Sequence, residues 1–65
     1  METRVKIVPQ YGGFKIKVDG NTVAAAPANN LVFAKELAKV QCQNLGESIF
    51  VLMDEKNQVK ETFKV

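Results

Sequence analysis

Cys42 is the single thiol in a chain of 65 residues that contains no histidine. A cysteine nucleophile needs a base or a cationic neighbour to hold its thiolate, so composition alone removes Cys-His machinery, and Ser-His-Asp machinery with it. The commonest metal ligand and neutral-pH proton shuttle is lost as well. Cys42 falls late in a helical pattern, away from the N-terminal end that depresses a thiol pKa, and reads as a small buried hydrophobe. Asp54 and Glu55 are adjacent carboxylates of the kind that do acid-base work, but Asp54-Glu55-Lys56-Asn57 is a polar turn in which both are solvated. Gly12-Gly13 has neither phosphate-binding glycine spacing nor a following helix, and reads as a hairpin turn. One thiol and scattered carboxylates give no metal-ligand spacing. The expectation is a non-enzymatic protein that uses no cofactor and no metal.

What remains is the placement of the cations. Arg4, Lys6, Lys15, Lys17, Lys60 and Lys64 alternate with Val5, Ile7, Phe14, Ile16, Val59 and Phe63. In a strand, successive side chains point to opposite faces, so if the apolar set meets a helix, the cations project from the other side. That gathers six of the nine basic residues on one sheet face. On the same parity Ile49, Val51 and Met53 join the core, leaving Phe50 and Leu52 in the middle of the basic face. An apolar centre ringed by cations suits a contact between two copies of the chain or with another protein. It also suits single-stranded nucleic acid, with Phe50 stacked on a base and Arg4 and the lysines on phosphates. The plain alternative is a solvated lysine layer that keeps an open sheet from pairing.

The elements that must position these residues follow from local pattern. Alternation over 4–8 gives a first strand, which Val8-Pro9 stops by removing a backbone donor. Gln10-Tyr11-Gly12-Gly13 turns the chain, and Phe14, Ile16 and Val18 mark a second strand. Asp19-Gly20-Asn21 is a hairpin signal that returns 22–25 as a third. Pro27 as first helical residue competes with Asn29 or Asn30 as N-cap, and the balance tips slightly to Pro27. Over 31–43 the spacing is helical, with Phe33, Leu37, Val40, Leu31, Ala34 and Ala38 on a broad apolar face and Lys35, Glu36 and Lys39 pointing away. Asn44 or Gly46 ends the helix. Residues 48–53 form an interior strand with apolar side chains on both faces, and 59–65 closes the sheet. The expected fold class is α+β, in the order β-β-β-α-β-β, a curved antiparallel sheet with one helix packed on one face.

A chain this short buries only about 60% of the surface its unfolded form exposes, and such scaffolds draw roughly 3–5 kcal/mol from their cores. At 46% hydrophobic and 25% charged it still has enough apolar content to fold, as one small domain over 1–65. A lone cysteine excludes an internal disulfide and points inside the cell. The first residues lack a signal-peptide core and no apolar run spans a bilayer, so a cytoplasmic protein away from membranes is expected. The net charge of +2 is compatible with an anionic partner without requiring one.

Several short motifs carry a likeness. Val8-Pro9, Gly12-Gly13-Phe14, Asp19-Gly20, Ala34-Lys35-Glu36-Leu37-Ala38-Lys39, 49–52, Val59 and Thr62-Phe63 fall in order over nearly the whole chain. Together they resemble the small bacterial and phage domain-of-unknown-function family numbered twenty-one eighty-eight. Phe14 stands where that family has an aromatic, Phe63 replaces its Tyr, and Ala26 occupies the place of its helix-capping Thr. The resemblance implies a compact sheet on one helix in a bacterial or phage setting, where an inhibitor of a host factor is a third reading. It carries over no catalytic or binding residue.

Overall fold

The computed structural model describes residues 3–65; Met1 and Glu2, with their share of the leader and domain readings, lie outside the described residues. Five strands and one helix follow the expected order: β1 (Val5–Gln10), β2 (Gly13–Val18), β3 (Asn21–Pro27), α1 (Leu31–Leu45), β4 (Ile49–Met53) and β5 (Val59–Lys64). They build one open sheet in the spatial order β3-β2-β1-β4-β5. The fold is α+β, but the sheet is mixed rather than wholly antiparallel, because β4 pairs parallel with β1. The reason is the connection: α1 carries the chain from the end of β3 back across the sheet, so β4 sets out in the same direction as β1.

The hairpins form where turn residues put them. Val18 pairs with Asn21 across Asp19 (φ 53) and Gly20 (φ 86), the pair of positive φ values that a type I′ turn needs. Gly13 is required for a different reason. A Cβ there would overlap the carbonyl oxygen of Ala26, so only glycine lets β3 lie this close to the start of β2. Pro9 does not end the first strand as its missing donor suggested; it pairs with Phe14 inside β1. Parallel pairing with β4 has already stopped at Ile7↔Leu52, so near Pro9 one side of β1 has no ladder left to break.

Helix α1 begins later than Pro27, which instead closes β3. Asn30 is the N-cap, its side-chain oxygen accepting the Phe33 N–H at 3.0 Å, while Gly46 in the left-handed conformation ends the helix. The buried centre of the helix is Ala34, Ala38 and Cys42, all fully covered, and its small side chains bring the backbone close to the sheet. Phe33 and Val40, expected on that face, are exposed, lying roughly 140–160° around the helix from Ala38 and so on its outer side. Beneath the helix lie Val5, Ile7, Ile16 and Ala26 with Phe50 and Leu52, while Phe14, Val18, Leu37 and Phe63 pack at the margin.

Candidate functional site: the open face of the sheet

Register decides which residues share the face away from α1. Ile7 and Ile16 are paired and buried under the helix, so their neighbours Lys6 and Lys17, also paired, point the other way. Lys15 joins them, opposite Val8 on one side and Ala25 on the other. Lys6 sits beside Val51, Val51 beside Thr62, and Ile49 beside Lys64. The open face therefore carries Lys6, Lys15, Lys17 and Lys64 around Val8, Ile49, Val51 and Met53.

Phe50 and Leu52 are not on it. Leu52 is level with Ile7, so both β4 residues turn toward the helix and are buried at 3% and 6% exposure. Phe50 stacks on Phe63 with ring centroids 5.2 Å apart, and the Lys35 ammonium lies 4.3 Å from the centre of the Phe63 ring. The assignment of Phe50 and Leu52 to the basic face is thus reversed, and Ile49, Val51 and Met53 take their place. Five consecutive apolar residues have no alternation to fix their phase; only the pairing with β1 does so.

Of the other expected cations, Lys60 lies elsewhere and Arg4, beside Lys6, is not free. Between Leu52↔Glu61 and Met53↔Val59 the ladder shifts by one residue, which makes Lys60 the extra residue of a bulge. Lys60 lines a cleft of about 540 Å³ at the end of the strands together with Phe14, Leu31 and Leu52. The same shift takes Val59 off the helix face, where it had been expected with Phe63, and leaves it 58% exposed. Arg4 is already neutralised. Its guanidinium forks onto the Asp19 carboxylate at 3.0 and 2.9 Å and lies 3.7 Å from Glu47 Oε1, clamping the foot of β1 to the β2–β3 turn. The hydrogen bond from Arg4 holds the Asp19 carboxyl below its ordinary value, and the same bond raises the arginine.

The lysines that remain have a different status. Among the described residues, Lys6, Lys15, Lys17 and Lys64 make no ion pair, and Lys6 faces Lys17 directly across the β1–β2 ladder. Like charges directly opposite destabilise a sheet. Lys6, Lys15 and Lys17 are half-buried, as lysines are when their stems lie along apolar surface and their ammonium groups reach water. Val51, flanked by Lys6 and Thr62, is accordingly only 4% exposed although no helix covers it.

The other groups singled out for chemistry have structural work. The Cys42 thiol is buried and donates to the Ile49 carbonyl at 3.5 Å; burial pushes its pKa up, with Glu47 adding to the rise. Asp54 is more than a solvated turn residue. Its Oδ1 accepts the N–H groups of Lys56 and Gln58, each at 2.9 Å, which holds the β4–β5 turn closed. The cleft beside that turn was missed from sequence because Phe14, Leu31 and Leu52 come from three separate elements. Among the described residues no helix is long and apolar enough to cross a membrane. No family model, no curated protein and no solved structure matches the chain, so the likeness to the family numbered twenty-one eighty-eight stands on its short motifs alone.

Proposed function

We propose that this chain is a non-enzymatic contact module whose open sheet face binds an acidic surface of a partner protein. The observation that carries the reading is the opposed pair Lys6 and Lys17, kept side by side with no ion-pair partner among the described residues, the nearby Asp19 carboxylate being taken by Arg4. Such a pair costs the free protein stability, and a partner's carboxylates relieve that cost on binding. Val8 and Ile49, partly exposed between the lysines, give such a partner a small apolar contact within a cationic rim.

The second reading, nucleic acid on the same lysines, is supported by the charge but loses its stacking group. Phe50 is in the core, and among the described residues the strands place no aromatic side chain on that face. The test is a fluorescence titration of the native protein with an oligoglutamate peptide containing interspersed valines, and in parallel with oligothymidylate, at low and moderate salt. The expected result is tighter binding of the peptide and loss of binding in a Lys6→Gln, Lys17→Gln variant. Tighter binding of the oligonucleotide, with a log-log salt slope that falls by about 0.7 for each lysine removed, would transfer the face to nucleic acid. Failure of both probes at low salt would return it to a solvated layer.

A further inference from the structure

At one end of the sheet the helix does not cover all of the apolar surface beneath it. Pro9 pairs with Phe14, and Leu52 is level with the buried Ile7, so Pro9, Phe14 and Leu52 all lie on the helix side near the ends of β1, β2 and β4. Leu31, the first residue of α1, borders the same space, and α1 packs on β1 to β4 without extending over β5. The β4–β5 turn closes the opposite side. What is left between helix start and turn is the cleft of about 540 Å³, a size within the range of roughly 300–1,000 Å³ that small-molecule sites occupy.

The mouth of this cleft is set by the bulge. In an unbroken ladder residue 60 would pair with Met53 and point to the open face; the extra residue in β5 turns Lys60 into the cleft instead. Lys60 has no ion-pair partner among the described residues. Asp54 also borders the cleft, but its Oδ1 is taken by the N–H groups of Lys56 and Gln58. Glu55 and Lys56 complete the rim at the exposed tip of the turn.

We propose that this cleft binds a small carboxylate with an apolar tail, the tail lying on Phe14, Leu31 and Leu52 and the head group meeting the Lys60 ammonium. An apolar floor with a charged group converging on its mouth is the make-up of a small-molecule site. The rim selects the head group. Lys60 attracts an anion, whereas Asp54 and Glu55 penalise the second negative charge that a phosphate monoester would bring. A singly charged carboxylate gains the first interaction without the second. The site is separate from the open face, because its floor lies on the helix side of the sheet.

Amide chemical shifts of the full chain, followed by NMR during titration with octanoate, octanol, octylamine and octyl phosphate, test the assignment. The expected result is saturable octanoate binding with shifts at Phe14, Leu31, Leu52 and Lys60. A Lys60→Gln variant is expected to bind octanoate about tenfold more weakly and octanol as the native protein does. A Lys6→Gln, Lys17→Gln variant is expected to bind octanoate unchanged, which keeps this site distinguishable from the open face. Octylamine or octyl phosphate binding more tightly than octanoate, or a Lys60→Gln variant with native octanoate affinity, would overturn the head-group assignment. Absence of saturation with every probe, or octanoate shifts confined to the open face, would overturn the site itself.

Discussion

Arg4 and Lys6 are separated by one residue and have opposite fates. Arg4 finds Asp19 and Glu47 and becomes a clamp, while Lys6 finds Lys17 and stays available. The difference comes from strand length: Arg4 falls just before β1, level with the Asp19-Gly20 turn, where a carboxylate is within reach of a planar guanidinium. Because Arg4 holds the Asp19 carboxyl below its ordinary value, the clamp's contribution to stability is complete above the unfolded-state value of about 3.9. It is lost as pH falls through the lower folded value, so the pair is intact at neutral pH. Carboxyl chemical shifts followed by NMR are expected to give Asp19 a midpoint below that of a model aspartate, moving back to the ordinary range in an Arg4→Gln variant. A midpoint unmoved by the substitution would show that the fork does not persist in solution.

At the scale of elements, what could be read from sequence is what depends on residue type. Asp19-Gly20 demanded a tight hairpin, the apolar spacing over 31–43 demanded a helix, and both are there. What could not be read depends on phase. The run Ile49–Met53 is apolar throughout, so either set of alternate residues could face the helix until β1 fixed the register through Ile7↔Leu52. The bulge at Lys60 has no residue signature, and it alone moved Val59 and Lys60 from their expected places. The helix start was ambiguous because Pro27 and Asn30 both suit an N-terminus, and the side-chain bond from Asn30 to Phe33 resolves it. Asn30→Ala is therefore expected to cost about 1 kcal/mol in a urea titration, while Pro27→Ala stays within a few tenths. Equal losses, or the reverse order, would put the helix start back at Pro27.

For the whole molecule, one sheet carries two faces of different make. The face under α1 is filled by Ile7, Ile16, Phe50 and Leu52, and it makes the fold. The opposite face holds lysines against one another at some expense of stability, the trade expected of a binding surface rather than of a layer selected only for robustness. The most direct measurement is thermal unfolding and oligoglutamate binding of Lys17→Glu, which places an acid opposite Lys6. The expected result is a melting temperature raised by about 2–4 °C, from roughly 0.5 kcal/mol of repulsion turned to attraction, together with loss of peptide binding. A variant that melts lower than the native protein, or that binds the acidic peptide as tightly, would contradict it.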